Sequence, residues 1–452
     1  MFINKLNAIS YKGLRDLEVN FYRTKTDNPL QISVVVGDNG IGKSSLLQLI
    51  ADIFCPEQRS KKQKHSKSFK ISYDILINTE ESKGTASTSY QIPYESDRDY
   101  PIHYPTKLIV SSHSAFDPYQ AEARYVMRKR PDPKETKYVY CGPNDHNHSS
   151  LETAINAILD AYKFYDERIL KSYRTLFNKI GYGELINLEV NFEFIPKLIR
   201  ELDLLVQENN INQIFRAELE RHLLILDDKR RSFKRTKSGR CYYVPIEALD
   251  LYFLEMLLVV APLDVPQIIR DIWFLSEDGV SEVPLSEFSS GELTMIYRFL
   301  PLVMEIEHNS IILIDEPETH LHPKWAQEFI GYLLELFGDF NTHIILATHS
   351  PIIISDVPTE SLVILDKANG VISQRLPNDR TFGVSSTDIL KDVFFMKQLP
   401  GNQSAELIKR IENQLISGDP TLISEARQLY STLGTTFEKY ELFQKFRKHL
   451  GE

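Results

Sequence analysis

The chain has 452 residues, 42% of them hydrophobic and 25% charged, with a formal net charge of −10 at pH 7. That length supplies more than one structural unit and a large core. The acidic balance excludes a protein that binds nucleic acid with its whole surface, while leaving room for local basic patches.

The opening Met1-Phe2-Ile3-Asn4-Lys5 lacks the apolar stretch of a signal peptide. Gln31 to Val36 predicts a β-branched strand, and Lys43 to Phe54 predicts an apolar-periodic helix. Between them Gly37-Asp38-Asn39-Gly40-Ile41-Gly42-Lys43-Ser44 has the form of a P-loop, in the strand–loop–helix setting that the motif requires. Glycines there let backbone N–H groups curl around phosphate oxygens, and the helix start adds the positive end of its dipole. The pattern expects ATP, with Lys43 on its β- and γ-phosphates, the Ser44 hydroxyl on Mg2+, and Ser45 beside them in the first turn. Cys55, Cys141 and Cys241 stand far apart without metal-ligand spacing, as expected of free thiols in a reducing cytoplasm.

Residues 121–268 read as mainly helical. Ser149-Ser150-Leu151-Glu152 has the form of a capping box, Gly181 of a helix stop, and helical periodicity recurs through Phe194 to Leu226 and Ile246 to Val260. The most apolar run, Leu251 to Pro262, is interrupted by Glu255 and is too short to span a bilayer; it reads as a buried helix, and no membrane partner is expected. Three basic runs stand out: Arg59 to Lys70, Arg128-Lys129-Arg130, and Lys229 to Arg240, the densest. Each reads either as a contact for the phosphate backbone of DNA or RNA or as a solvated loop. Asp145-His146-Asn147-His148 reads as a polar loop, because no second ligand cluster accompanies it. The Arg-x5-His spacing from Arg216 to His222 reads as coincidence on a charged helix face.

Ile269 to Phe274 predicts a strand that turns at Glu277-Asp278-Gly279 into a hairpin. Phe288-Ser289-Ser290-Gly291-Glu292 then opens a helix from Leu293 to Leu300, just before Pro301, and Ser289, Ser290 and the backbone N–H groups at that start form a second anion site. Ile311 to Ile314 reads as a buried parallel strand. Asp315 at its end is expected to hold Mg2+, directly or through water, and Glu316 to orient and deprotonate an attacking water. Pro323 and Gly338 bound a helix, and His343 to Ala347 is a second buried strand that delivers His349 either to a γ-phosphate or to a structural role. A strand at Leu362 to Leu365 and helices at Leu422 to Leu433 and Glu438 to Leu450 close the chain, with no acidic nuclease constellation among them.

In this order the four motifs resemble the ABC-type ATPase head shared by SMC-like and OLD-like proteins. The resemblance implies an α/β fold, a P-loop ABC-ATPase head split by a mainly helical insertion and followed by a short helical tail. The divisions expected are 1–120 for the lobe with the P-loop, 121–268 for the insertion, 269–398 for the lobe with signature, acid pair and histidine, and 399–452 for the tail. Ser289-Ser290-Gly291-Glu292 replaces the transporter-style Ser-Gly-Gly-Gln, with Ser290 standing where many relatives have glycine. Asp315 to Pro323 looks like the acid pair and D-loop of the OLD-like group, and Ile9 to Leu14 like its first strand. By that likeness Ser289, Ser290, Gly291 and Glu292 face the γ-phosphate bound by a second copy, and Glu318 to His322 line the seam of a head-to-head dimer. Leu108 to Tyr119 lies where relatives carry a Q-loop; no glutamine follows the strand, and only a role near His113 carries over.

Ser114-Ala115-Phe116-Asp117-Pro118 and Thr381-Phe382-Gly383-Val384, with the overall size and signature, resemble the ATPase subunit of Septu-type antiphage defence pairs, some of which accompany retrons. That family implies a partner HNH-type nuclease under nucleotide control. Two other readings stay open: a repair ATPase of the SMC-like kind acting on DNA ends, and a slowly hydrolysing, nucleotide-locked scaffold. A transporter motor is excluded by the form of the signature and by the 246 positions between Lys43 and Ser289.

Overall fold

A computed structural model describes residues 1–24, 29–55, 68–78, 85–92, 105–112, 119, 136–142, 150–162, 167–208, 210–261, 267–377, 380–394, 401–434 and 437–450. Contacts divide the chain into two units, Met1–Gly383 and Val384–Glu452.

The chain opens with a hairpin, β1 (Phe2–Tyr11) and β2 (Leu14–Asn20), turned at Lys12 with φ 51°. Ile9 to Leu14, expected as the first strand, is therefore the end of β1, the turn and the start of β2. The β-branched segment Gln31–Val36 becomes β3, and Lys43–Phe54 becomes helix α1. β4 (Ser68–Asn78) and β5 (Thr85–Ile92) join the hairpin in an antiparallel sheet of order β2-β1-β4-β5.

Strands that are apolar on both faces suit a parallel sheet covered on both sides. β6 (Lys107–Ser112), β7 (Lys137–Tyr140), β13 (Ile311–Asp315), β14 (His343–Thr348), β15 (Leu362–Ala368) and β16 (Val371–Arg375) build such a sheet with β3, in the order β16-β15-β3-β14-β13-β6-β7. Its pairs are parallel except at β16. The principal core lies between this sheet, the antiparallel sheet and α1, where Leu6, Val35, Leu46, Leu49, Leu313 and Ala347 are fully buried.

The middle of the chain supplies α2 (Ser150–Tyr162), α3 (Glu167–Lys179), α4 (Ile195–Gln207), α5 (Gln213–Asp228) and α6 (Leu251–Val260). Gly181, at φ 90°, follows α3 as its stop. The periodicity from Phe194 to Leu226 resolves into two helices, the second capped by Asn212, whose side chain accepts the Phe215 N–H at 2.8 Å. α6 buries Phe253, Leu254, Met256, Leu257 and Val260, and no helix among the described residues is long and apolar enough to cross a membrane. Between these helices run β8 (Tyr182–Val190), β9 (Lys234–Arg235) and β10 (Tyr242–Pro245), which join β11 (Ile269–Ser276) and β12 (Glu282–Pro284) in an antiparallel sheet of order β12-β11-β8-β10-β9. The expected hairpin is the β11–β12 pair, with Gly279 at φ 69° in its turn.

Helix α7 (Ser290–Glu305) runs through Pro301 instead of ending before it. A proline removes one intrahelical hydrogen bond; here burial of Phe299, Leu300, Leu302 and Val303 on either side of it outweighs that loss. α8 (Pro323–Phe337) and α9 (Pro351–Ile354) complete the first unit. The second unit holds α10 (Ser386–Asp392), α11 (Asn402–Ile416), α12 (Pro420–Thr432), α13 (Phe437–Lys445) and α14 (Arg447–Leu450), around Ile411, Leu415, Ala426 and Leu442. The helix expected from Glu438 to Leu450 is broken at Phe446.

His343, the first residue of β14, ties the two sheets of the core together. Its Nδ1 accepts the Ile3 N–H at 3.2 Å, its Nε2 lies 2.9 Å from the Ser33 hydroxyl, and its ring sits 4.3 Å from that of Phe2. Burial, then the N-terminal amine and Arg23, hold its pKa well below the ordinary 6.5. The unfolded chain therefore binds a proton near pH 6.5 that the folded chain refuses, and stability must fall as pH drops below that value, by about 1.4 kcal/mol per pH unit. Chemical denaturation at stepwise lower pH should show this slope, and His343→Asn should reduce it.

Candidate nucleotide site

The loop after β3 needs glycine for conformation and for space. Gly37, Gly40 and Gly42 have φ of 152°, 78° and 103°. A Cβ on Gly37 would lie 2.7 Å from the Leu365 carbonyl oxygen, and one on Gly42 would lie 2.6 Å from Leu14 Cδ2. Asp38, Asn39 and Gly40 are exposed, Ile41 is buried beneath them, and Gly42 caps α1. Lys43 is buried and folded back over the loop, its Nζ donating to the carbonyls of Gly37 at 2.8 Å and Asp38 at 3.1 Å. Burial lowers its pKa from the ordinary 10.5, against the opposing pull of Asp315, Glu318, Glu316 and Asp38. Ser44 and Ser45 are half-buried in the first turn of α1.

β14 lies between β3 and β13, with Val36 in register with Thr348 and Asp315 in register with Ala347. The strand that ends at the loop and the strand that ends at the acid pair thus flank the strand that ends at His349. The fold is α/β, with the P-loop, the acid pair and His349 brought to one end of a mostly parallel sheet. Ser44 Oγ donates to Asp315 Oδ1 at 3.2 Å across this end of the sheet. A hydroxyl and a buried carboxylate make a hard oxygen pair, and no cluster of three or more His, Cys, Asp or Glu able to hold a metal occurs among the described residues. Such a pair fits Mg2+, which takes few protein oxygens and completes its shell with water and phosphate. Glu316 follows in a left-handed conformation, φ 48°, with its N–H on the Ala347 carbonyl at 2.9 Å.

Three neighbours of this site were not read from the sequence. Ser112 of β6 stands in register with Asp315, and its hydroxyl is buried without a hydrogen-bond partner among the described residues. The Tyr119 hydroxyl donates to the Ser44 carbonyl at 3.2 Å. His113, expected here, lies outside the described residues, as do Arg128 to Arg130, Asp145 to His148 and most of the run from Arg59 to Lys70. The third neighbour is Arg298. Glu318 Oε1 accepts the His349 N–H at 2.8 Å and lies 3.0 Å from His349 Nδ1, while Oε2 is buried without a partner among the described residues. Beside it Arg298 of α7 is fully buried, donating from Nη2 to the Thr319 carbonyl at 2.9 Å, with Nε and Nη1 unpartnered among the described residues. Burial brings its pKa down to about 10 against the pull of Glu318. An arginine in an apolar stretch was the available signal.

The signature segment is satisfied within its own helix. Ser289 Oγ accepts the Glu292 N–H at 3.3 Å, and Glu292 Oε2 accepts the Ser289 N–H at 2.6 Å, a complete capping box at the start of α7. Ser289 and Ser290 are exposed, and no hydrogen bond found among the described residues joins residues 289–292 to the P-loop. Gly291 is fixed by packing: a Cβ there would lie 2.4 Å from Trp325 Cζ3 of α8. Tyr182 of β8 stacks on Phe288 at 3.8 Å between centroids. Burial, then the charge of the nearby Glu292 carboxylate, pushes the pKa of its hydroxyl up to about 12.

Residues 143–355 match the family model described as "AAA domain, putative AbiEii toxin, Type IV TA system". Over 423 residues the chain is 22% identical to protein ea59 of Escherichia phage lambda, covering 90% of this chain and 62% of that protein. It is 23% identical over 451 residues to the Septu protein PtuA of Bacillus mycoides, covering 97% of this chain and 51% of that protein. It is 25% identical over 477 residues to the retron Ec83 probable ATPase of Escherichia coli, covering 95% of this chain and 82% of that protein. The chain thus resembles Septu and retron ATPases along most of its length and spans about half to three-fifths of the first two relatives.

Gly291→Ala separates packing from propensity. In an open helix the change stabilises by about 0.5–1 kcal/mol; against Trp325 it should instead destabilise by about 1–3 kcal/mol, read by urea unfolding, with altered tryptophan fluorescence. Arg298→Met should leave Glu318 buried without its cation, and should lower the unfolding midpoint more than Gly291→Ala does.

Proposed function

We propose that this chain binds ATP with Mg2+ and hydrolyses it to ADP and phosphate, as the ATPase subunit of an antiphage defence complex that responds to infection by controlling a partner HNH-type nuclease. The observation that carries the enzymatic part is the meeting of Lys43, Ser44, Asp315, Glu316 and His349 at the ends of three adjacent parallel strands. Similarity to Septu and retron ATPases supports the defence setting.

In this reading the backbone N–H groups of residues 37–45 hold the phosphates, and Lys43 exchanges its two carbonyl contacts for phosphate oxygens. Ser44 and Asp315 hold Mg2+, which when bound offsets the phosphate charge. Glu316 takes the proton of the attacking water, and His349, steadied by Glu318, contacts the γ-phosphate. A second copy supplies Ser289, Ser290, Gly291 and Glu292, so the competent form is a head-to-head dimer. The chain works in the cytoplasm, where its three buried free thiols remain reduced.

Lys43→Ala should lose nucleotide affinity, measured with a fluorescent ATP analogue. Glu316→Gln should bind ATP yet hydrolyse it at least about 100-fold more slowly and accumulate as a dimer by light scattering. A parental rate in Glu316→Gln would remove Glu316 from the role of base. Co-purification with the product of a neighbouring nuclease gene, with and without ATP, tests the partner; a complex indifferent to nucleotide would count against control.

A further inference from the structure

Seven lysines and arginines lie between Lys229 and Arg240 in a chain whose net charge is −10. The segment is folded. A 3-10 turn at Lys229–Ser232 leads into the β9–β10 hairpin, whose loop is closed by Thr236 N–H on the Cys241 carbonyl at 3.0 Å. Two of the cations are built into this base. The Arg230 guanidinium lies 4.9 Å from the centre of the Tyr242 ring and 5.5 Å from that of Phe192. Arg235 lies 5.4 Å over the same Tyr242 ring and donates from Nε to its hydroxyl at 2.8 Å.

The other five, Lys229, Arg231, Lys234, Lys237 and Arg240, are exposed, and none forms an ion pair among the described residues. Lys179, Arg216 and Lys445 elsewhere on the surface do pair with carboxylates. Like charges crowded on one edge strand and its loop repel one another unless an anion joins them. The anion that fits is a repeating one, because the cations follow one another along a turn, a strand and a loop. Half-buried Phe233 lies within the run and half-buried Tyr243 pairs with Lys234 across the hairpin, an interleaving of aromatic and cationic residues that suits nucleic acid better than an acidic peptide.

The hairpin also has a direct line to the signature. Tyr242 pairs with Val190 at one end of β8. Tyr182, at the other end about 26 Å away at ~3.3 Å per residue, carries the stack on Phe288, the residue next to the signature serines.

We propose that the Lys229–Arg240 hairpin is a docking surface for a nucleic-acid backbone, and that β8 links its occupancy to the signature segment. The link rests on the ATPase reading above; the docking does not.

The test uses the full chain and labelled DNA and RNA strands of the same sequence, about 20 nucleotides long, followed by fluorescence anisotropy between about 50 and 200 mM salt. The parent should bind at least one of them. A triple variant, Lys234→Glu, Lys237→Glu and Arg240→Glu, changes exposed side chains that do not stack on Tyr242. It should keep the parental melting temperature, bind at least about 10-fold more weakly and lose about 3 units of salt slope. No binding by the parent at about 50 mM salt, equal binding by the triple variant, or equally effective displacement by polyglutamate would overturn the docking. Tyr182→Ala should keep the affinity for the strand and lose its effect on ATP turnover. An equal effect in parent and variant would overturn the link alone, and a parent without ATP turnover would overturn the ATPase reading while anisotropy still decides the docking.

Discussion

β14 sets the terms for everything at the sheet's active end. It is buried along all six residues and hydrogen-bonded in parallel to β3 on one side and β13 on the other. Because it separates those strands, the loop after β3 and the acids after β13 can meet only beyond its last residue. Parallel register then fixes which groups emerge together, so the Ser44–Asp315 contact follows from strand pairing, although 271 positions of sequence separate the two residues.

What surrounds that point is a set of charges arranged against their ordinary preferences. Lys43 is drawn inside and held by carbonyls, while four carboxylates favour its charge. Arg298 is buried with Nε and Nη1 unanswered among the described residues, near a Glu318 oxygen that is likewise unanswered there. A buried guanidinium of this kind costs stability unless it is paired, so its neighbours Thr319 and Glu318 hold the signature helix against the segment that follows the acid pair.

Much of this was legible in the sequence, for local reasons. The P-loop, the acid pair and His349 each consist of a few residues next to a strong apolar strand, and strand ends place them without further information. The placing of Arg298 beside Glu318 was not legible, because it depends on how α7 docks onto a segment twenty positions away. β8 was missed because its buried residues, Leu185, Leu188 and Val190, do not alternate cleanly and sit among helical patterns. Pro301 misled because a local rule about helix ends yielded to burial on both sides of it. The signature was legible as a helix cap; the sequence also read it as an anion site, a use that would draw on the same N–H groups, and in the folded chain the cap holds them.

That cap has a consequence for selectivity. An anion reaching the start of α7 must displace bonds that Ser289 and Glu292 already make to each other's backbone, so a stray ion exchanges like for like and gains little. An anion already anchored on another surface arrives at high effective concentration and has less freedom left to lose. Were an anion to use this segment, the cap would make it a poor first contact and a better second one.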